Sequence, residues 1–333
     1  MKITVIGAGS WGTALAELAE RCGHDVLLWA HEPEVVEQIR QTRSNPLYLP
    51  SAKFSYRTEV TNSLEQAAQF SSTLMMVTPS HHYRGVLEQV RQHLPGPVRI
   101  ISGTKGIENS TLERISQICA DVLSDEHLTS FACLSGPTFA AELSRADPTA
   151  AVVASKNDDF AKEVQEALSC KYFRLYTTSD VAGVEVGGSM KNVMAIAAGI
   201  IEGIGLGSNT TAALITRGLH EMGRLSEALG GRPDTLSGLA GMGDLILTCT
   251  GALSRNRRLG TQLGQGRSLE EILAETREVA EGVKTTRSAK DLADKLGIEM
   301  PITQEMFRVL YESENPRIAI QRLMTRSLKP EEA

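Results

Sequence analysis

Cysteine pairs, long apolar runs and a surplus of basic residues are all missing from this chain, and each gap removes a class of function. The five cysteines, Cys22, Cys119, Cys133, Cys170 and Cys249, are scattered, odd in number and free of any CxxC spacing. That pattern argues against a disulfide framework or a zinc site, so no metal is expected, and inert thiols in a reducing cytoplasm fit it best. A net charge of −6 argues against nucleic acid as a main partner. A negative body can still carry one local cationic pocket for an anionic metabolite. Met1-Lys2 followed by apolar residues mimics a secretion signal, yet the run Ile3–Ile6 stops at Gly7. That is far short of an h-region, and no small-residue cleavage site follows. The most apolar helical stretch, Val193–Gly207, is too short to span a bilayer and contains Glu202. The expectation is a soluble cytoplasmic protein, neither exported nor inserted in a membrane.

What is present is an ordinary globular balance, 41% hydrophobic and 22% charged, over 333 residues, a length that suggests two domains. The first half alternates short β-branched runs with amphipathic segments, the βαβ rhythm of a parallel sheet. Candidate strands are Ile3–Ile6, Asp25–Trp29, Thr73–Val77, Val98–Ser102, Phe131–Ser135, Thr149–Ala154 and Phe173–Thr177. Helical patterns lie between them at Trp11–Arg21, Pro33–Arg43, His82–His93 and Thr111–Leu123. Several strands are apolar almost throughout, as a sheet covered on both faces requires. The rhythm changes after Ser179. From Val181 onward no strand is convincing, and apolar residues at helical spacing, as in Ile215, Leu219, Met222 and Leu225, mark amphipathic helices. The predicted architecture is α/β, a Rossmann-type doubly wound sheet over 1–179 followed by an all-helical domain over 180–333. With no internal repeat, low-complexity tract or long linker, the two domains should pack directly.

The strongest local signal is Gly7-Ala8-Gly9-Ser10-Trp11-Gly12, a GxGxxG pattern between a strand and a helix, the context that marks a dinucleotide fingerprint. Gly7 permits the tight turn, Gly9 lets backbone approach a pyrophosphate, and Gly12 lets helix and strand pack closely. The diphosphate then rests on unpaired amides of the helix N-terminus, at Ser10 and Trp11, where the dipole favours an anion. At the end of the second strand, NAD sites place an acidic residue for the ribose 2′-hydroxyl. Here the chain reads Trp29-Ala30-His31-Glu32, with His31 near the expected place. An imidazole can donate to a 2′-phosphate, and Arg40 or Arg43 can add charge, so NADP(H) is expected over NAD(H).

The second half holds Gly187-Gly188-Ser189-Met190-Lys191-Asn192-Val193, unusual because a lysine inside an apolar helix is costly unless paired. Downstream lie Gly238-Leu239-Ala240-Gly241-Met242-Gly243-Asp244-Leu245, Thr248-Cys249-Thr250 and Ser254-Arg255-Asn256-Arg257-Arg258. With these, and with Pro79-Ser80-His81, Thr104-Lys105-Gly106, Ser135-Gly136-Pro137-Thr138-Phe139-Ala140 and Met300-Pro301-Ile302-Thr303, the chain resembles bacterial sn-glycerol 3-phosphate dehydrogenases. The match runs over nearly the whole chain in the family's order.

The resemblance implies reversible hydride transfer between C2 of sn-glycerol 3-phosphate and a nicotinamide, with dihydroxyacetone phosphate as the ketone, in support of phospholipid synthesis. It also implies a helical domain of the 6-phosphogluconate dehydrogenase C-terminal type. Lys191 matches the family's catalytic lysine, and an acid–base lysine works best with its pKa drawn from about 10.4 towards ~7–8 by burial. Lys105, just after a strand at the carboxyl edge of the sheet, resembles a lysine that reaches both substrate and nicotinamide. Asp244 sits in a glycine-rich turn, where Asp commonly closes an Asx-turn; the resemblance makes it a substrate ligand that also orients Lys191. Ser254, Arg255 and Asn256 carry over as substrate contacts, a guanidinium being well shaped for phosphate, with Arg255 also near the cofactor. Arg257 and Arg258 read as surface or supporting residues. Gly136 and Thr138 precede a helix beginning near Phe139, whose free amides suit substrate or cofactor oxygens. Ala140, Val279 and Glu281 carry over as cofactor contacts on the resemblance alone.

The closest rival is another two-domain reductase, of the β-hydroxyacid dehydrogenase or ketopantoate reductase type, which acts on carboxylates and lacks the Ser254–Arg258 segment in this setting. A nucleotide-sensing regulator is the other class, but the chain offers no DNA-reading motif and no basic stripe. A homodimer is a guess with no sequence signature.

Overall fold

The computed structural model describes residues 1–275 and 281–331. Its first part interleaves strands and helices. The strands are β1 (Lys2–Ile6), β2 (Asp25–Trp29), β3 (Thr58–Thr61), β4 (Thr73–Met76), β5 (Val98–Ser102), β6 (Leu128–Ser135), β7 (Thr149–Ala154) and β8 (Phe173–Thr178). The helices among them are α1 (Ser10–Arg21), α2 (Pro33–Thr42), α3 (Leu64–Phe70), α4 (Ser80–Arg91), α5 (Ile115–His127), α6 (Ala140–Ser144) and α7 (Asp158–Leu168). The strands form one sheet in the order β3-β2-β1-β4-β5-β6-β7-β8.

Strand side chains alternate between two cores, which is why the strands read as nearly continuous apolar runs. Ile3, Val5, Met75 and Ile101 pack in one core. Ile6, Leu74, Met76 and Ile100 pack in the other, on the opposite face. Strand order reverses between β1 and β4, the crevice where doubly wound sheets take their ligands. All pairings are parallel except β6 with β7. The connection over 136–148, which includes the five-residue α6, turns the chain back so that β7 runs beside β6 in the opposite direction. Besides that reversal, two features depart from the sequence reading. β3 and α3 had no counterpart in it, because β3 is a four-residue edge strand, Thr58-Glu59-Val60-Thr61, with no apolar run. β6 starts at Leu128 rather than Phe131.

The central helix of the second part, α8 (Val181–Ile204), includes Lys191 and most of the apolar stretch Val193–Gly207. Its start is set by Asp180, whose carboxylate accepts from the backbone N–H of Gly183 (2.9 Å) and Arg232 (2.8 Å) and from the Thr235 hydroxyl (2.6 Å). At 24 residues it is about 36 Å long, so length does not exclude a membrane span. Its apolar window is instead wholly buried inside the protein. Around it pack α9 (Ser208–Ala228), α10 (Pro233–Leu236), a π-turn (Leu239–Gly243), α11 (Asp244–Thr250) and α12 (Arg255–Gly264). The remaining helices are α13 (Leu269–Glu275), α14 (Glu281–Leu296), α15 (Pro301–Tyr311) and α16 (Pro316–Met324). No strand occurs after β8 among the described residues.

Each fully buried Val or Ile of α8, such as Val193 and Ile196, contributes roughly 1.5–3 kcal/mol to this core. The crossing of α8 and α12 is unusually close. A Cβ on Gly199 would lie 2.0 Å from the Arg257 carbonyl oxygen, and one on Gly260 2.0 Å from that of Ile196. This contact brings the start of α12, with its basic cluster, against the helix that carries Lys191.

Candidate active site

The site forms where the carboxyl edge of the sheet meets α8 and α11. Lys105 follows β5, Lys191 lies in the middle of α8, and Asp244 opens α11. The Asp244 carboxylate accepts from both lysines, from Lys191 Nζ at 2.5 Å through Oδ1 and from Lys105 Nζ at 2.9 Å through Oδ2. The Thr248 hydroxyl, one helical turn along α11, contacts the same carboxylate at 3.2 Å. Burial alone would raise the Asp244 pKa, but the two ammonium groups outweigh it and hold the carboxyl below its ordinary value. Burial dominates at Lys191 and, with the neighbouring Lys105 charge, pulls it down to about 8 although Asp244 opposes the shift. Two cations share one anion in a buried place, an arrangement suited to a substrate that brings negative charge.

Glu281, the first residue of α14, faces the same group. Burial pushes its carboxyl up to about 7, against the opposing charges of Lys105, Lys191 and Arg255 and a hydrogen bond from the Ser80 backbone N–H. Glu281 thus sits at the N-terminus of α4 and joins the helical part to the sheet part. Beside it, burial and the nearby Lys284 charge push His81 down to about 4, so its ring is neutral at physiological pH. Val279 lies outside the described residues.

The glycine fingerprint has the form its spacing predicts. Gly7 has φ +119°, and a Cβ there would fall 2.7 Å from the Val77 carbonyl oxygen. A Cβ on Gly12 would overlap the Gly7 carbonyl oxygen at 1.8 Å. Around Gly9, by contrast, no heavy atom stands within 4 Å of the Cβ position, and no side chain caps α1. Open space over uncapped first-turn amides, at Ser10 and Trp11, is the cradle a diphosphate needs.

The basic cluster reaches this cradle. Arg255 Nη2 donates to Ser10 Oγ at 2.6 Å, and Ser10 Oγ donates to the Tyr48 carbonyl at 2.7 Å. Ser254 caps α12 by accepting from the Arg257 N–H at 3.2 Å, and its hydroxyl retains a proton to donate. Asn256 is committed to tying helices together. Its Nδ2 donates to Asn192 Oδ1 (3.1 Å) and its Oδ1 accepts from the Gly282 N–H (3.0 Å), joining α12 to α8 and α14. Arg257 pairs with Glu202 at 2.7 Å, in keeping with a supporting place, and Arg258 is exposed.

Gly136, at φ +145°, ends β6 against Ala151, where a Cβ would come within 2.9 Å of the Ala151 Cα. The Thr138 hydroxyl turns back to the Gly136 carbonyl (3.2 Å), and Ala140 opens α6, which no side chain caps. His31 stands apart, exposed past the end of β2, with its ring 6.0 Å from that of Trp29. Arg40 and Arg43, considered as its helpers, donate instead to the backbone carbonyls of Val60 and Thr58. The structure adds three residues that spacing did not single out: Thr248, Asn192 and Tyr48. Thr248 is four residues after Asp244, so helical periodicity alone points to it; Tyr48 has no local signal. Among the described residues no group of three or more His, Cys, Asp or Glu is placed to hold a metal ion.

Comparison with known proteins adds the following. The family profile described as NAD-dependent glycerol-3-phosphate dehydrogenase N-terminus matches residues 2–161, and its C-terminus counterpart matches residues 180–321. A protein of Geobacter sp. (strain M21), named glycerol-3-phosphate dehydrogenase [NAD(P)+], is 54% identical over 99% of this chain and 98% of its own. A crystal structure of glycerol-3-phosphate dehydrogenase from Coxiella burnetii superposes with a TM-score of 0.93 at 40% identity, covering 98% of this chain and 99% of that one. A ketopantoate reductase from Ralstonia eutropha shares the fold alone, at 16% identity and a TM-score of 0.61 over 97% of this chain and all of its own.

Proposed function

This chain belongs to the NAD-dependent glycerol-3-phosphate dehydrogenase family, and on that footing we propose that it interconverts sn-glycerol 3-phosphate and dihydroxyacetone phosphate with NAD(P). The physiological direction is reduction of the ketone, which supplies glycerol 3-phosphate for phospholipid synthesis. The observation that carries the reading is the buried Lys105–Asp244–Lys191 group, in a chain whose α12 also reaches the glycine cradle through Arg255 and Ser10. The junction near residues 179 and 180 divides the cofactor half from the half that bears Lys191. The five cysteines are all free thiols, which supports a reducing, cytoplasmic setting.

The nicotinamide supplies or accepts the hydride at C2 when it is bound. The residues fitted to hold the cofactor are Gly7, Gly9, Ser10, Trp11 and Gly12 at the diphosphate, His31 at the ribose, and Lys105, Ala140, Arg255 and Glu281 along the cleft. Val279 joins them by resemblance. Lys191 moves the proton, giving it from Nζ to the carbonyl oxygen in reduction and taking it from the alcohol in oxidation. Lys105 adds a second positive charge where the oxygen becomes negative. Asp244 orients both ammonium groups and balances their charge. Gly136 and Thr138 offer backbone amides to the substrate, and Ser254, Arg255 and Asn256 lie where a phosphate is received. Addition of dihydroxyacetone phosphate to the purified protein should oxidise NADPH, while ketopantoate and β-keto acids should not; the reverse result would move the chain to the carboxylate reductases.

Arg255→Ala should raise KM for dihydroxyacetone phosphate far more than for an unphosphorylated ketone. One bidentate phosphate contact is worth about 1.5–3 kcal/mol, or roughly 10–100-fold. Equal effects on both ketones would take phosphate recognition away from Arg255.

NADPH is the proposed preference over NADH. Supporting it, the carboxylate nearest the expected ribose position, Glu32, accepts from the Tyr48 hydroxyl at 3.0 Å, while His31 is exposed at the strand end. His31→Asp should turn the ratio of kcat/KM for NADPH over NADH downwards by about tenfold, the worth of one charge-assisted contact. An unchanged ratio would remove His31 from this role.

A further inference from the structure

One buried hydroxyl at the centre of the cleft remains without a use. Ser135, the last residue of β6, is 4% exposed, and its Oγ has no hydrogen-bond partner among the described residues. An orphaned buried hydroxyl costs stability, so its retention calls for an explanation. Its surroundings supply one. The Cβ position of Gly188, on α8, lies 2.8 Å from Ser135 Oγ and 3.4 Å from Lys105 Cγ. Gly188 precedes Lys191 by three residues and so shares its helix face. Ser135 Oγ and the Lys105 stem therefore meet over the same spot of α8, one helical turn before Lys191, at the carboxyl end of a strand, where doubly wound sheets bind ligands. The other orphaned polar atoms of this edge lie away from Gly188: Thr78 Oγ1 after β4 beside Gly7, Trp11 Nε1 beside Gly103, and Thr285 Oγ1 beside Gly106.

We infer that Ser135 is a specificity-determining residue that pairs with the C1 hydroxyl of the substrate. The inference rests on the proposed reaction. Dihydroxyacetone phosphate has three polar parts, and two are already matched: the phosphate by the Ser254–Arg255 end of α12 and the carbonyl by Lys191 and Lys105. The hydroxymethyl group is the third. A serine hydroxyl can both donate to it and accept from it, whereas the neighbouring ammonium groups only donate. A site that holds a substrate hydroxyl in this way rejects the analogue lacking it, because its own buried group is then left unpaired.

The test compares wild type and Ser135→Ala with two ketones, dihydroxyacetone phosphate and hydroxyacetone phosphate, whose methyl group replaces the hydroxymethyl. Wild type should favour dihydroxyacetone phosphate in kcat/KM by about 10–100-fold, and Ser135→Ala should abolish most of that preference. The loss should fall on dihydroxyacetone phosphate, with NADPH affinity unchanged and the melting temperature kept or raised, since the variant removes an unsatisfied group. An unchanged preference, or equal losses on both ketones together with a lowered melting temperature, would make Ser135 a packing residue and overturn the inference. If wild type reduces neither ketone, it is the proposed reaction that fails.

Discussion

Lys191→Ala should lower kcat for dihydroxyacetone phosphate reduction by about 10²–10⁴-fold, the usual worth of one general acid. The loss should fall mainly on kcat, because Arg255 and the glycine cradle still bind the phosphate and the cofactor. The lysine is suited to the task because its environment moves its proton affinity to the working range. With a pKa of about 8, a substantial share of Lys191 is protonated at neutral pH, yet it releases the proton far more readily than an ordinary lysine near 10.5. The pH dependence has a definite sign. Reduction needs the protonated form, so its rate should fall as pH rises through about 8; oxidation needs the free amine and should rise over the same interval. Both limbs should disappear from the residual activity of the alanine variant. Steady-state oxidation of NADPH with dihydroxyacetone phosphate measures the first limb across pH 6–10, and reduction of NADP+ with sn-glycerol 3-phosphate measures the second. Near-normal turnover by the variant would end the assignment of Lys191 as the proton donor.

Much of this site was legible before any coordinates. The fingerprint could be read because its glycines answer steric demands that few other residues meet, and Gly12 against the Gly7 carbonyl is the plainest case. Lys191 stood out because an ammonium in an apolar helix has to be compensated. The compensation itself was less visible. Asp244 was suggested as its partner, but nothing in the spacing said that Lys105, 139 residues before it, would share the same carboxylate. Such long-range pairing depends on how α8 lies against the sheet, and that is decided by close glycine contacts and by the Asp180 cap rather than by any local motif. The edge strand β3 and the reversal at β7 were hidden for a related reason: strand pairing and direction depend on connection length and neighbours more than on the strand's own residues. Asn256 shows the limit of carrying roles over by motif. Its side chain ties three helices together at this site, so its replacement should disturb α8 and α14 as well as any substrate contact.

Asp244→Asn should damage the protein in two ways at once, and the combination distinguishes its role from that of a simple ligand. The variant keeps the shape of the side chain but leaves two ammonium groups facing each other in a buried place. Breaking one partner out of a buried ion pair costs about 3–5 kcal/mol. The protein has one escape, which is to release a proton. Burial and Lys105 both pull the Lys191 pKa down, and Asp244 is the group that opposes them. Without it the pKa should drop further below 8, and the descending limb of the reduction profile should move to lower pH. Folded protein would then bind fewer protons than unfolded chain over a wider range below 10.5, so the stability of the variant should rise with pH. In the wild type the contribution of Asp244 has the same sign but acts at far lower pH, so it adds no slope between pH 6 and 9. Its carboxyl is depressed, so that contribution is complete above the ordinary carboxylate range near 3.8 and is lost only as pH falls through the depressed value. The gap in melting temperature between the two proteins should therefore be wider at pH 6 than at pH 9. Adding Lys191→Ala to Asp244→Asn should restore part of the lost stability, because the repulsion between the two lysines disappears, while removing the proton donor and with it the pH limb that Asp244→Asn retains. A variant that melts like wild type and keeps its limb near pH 8 would show that some other group balances the two lysines.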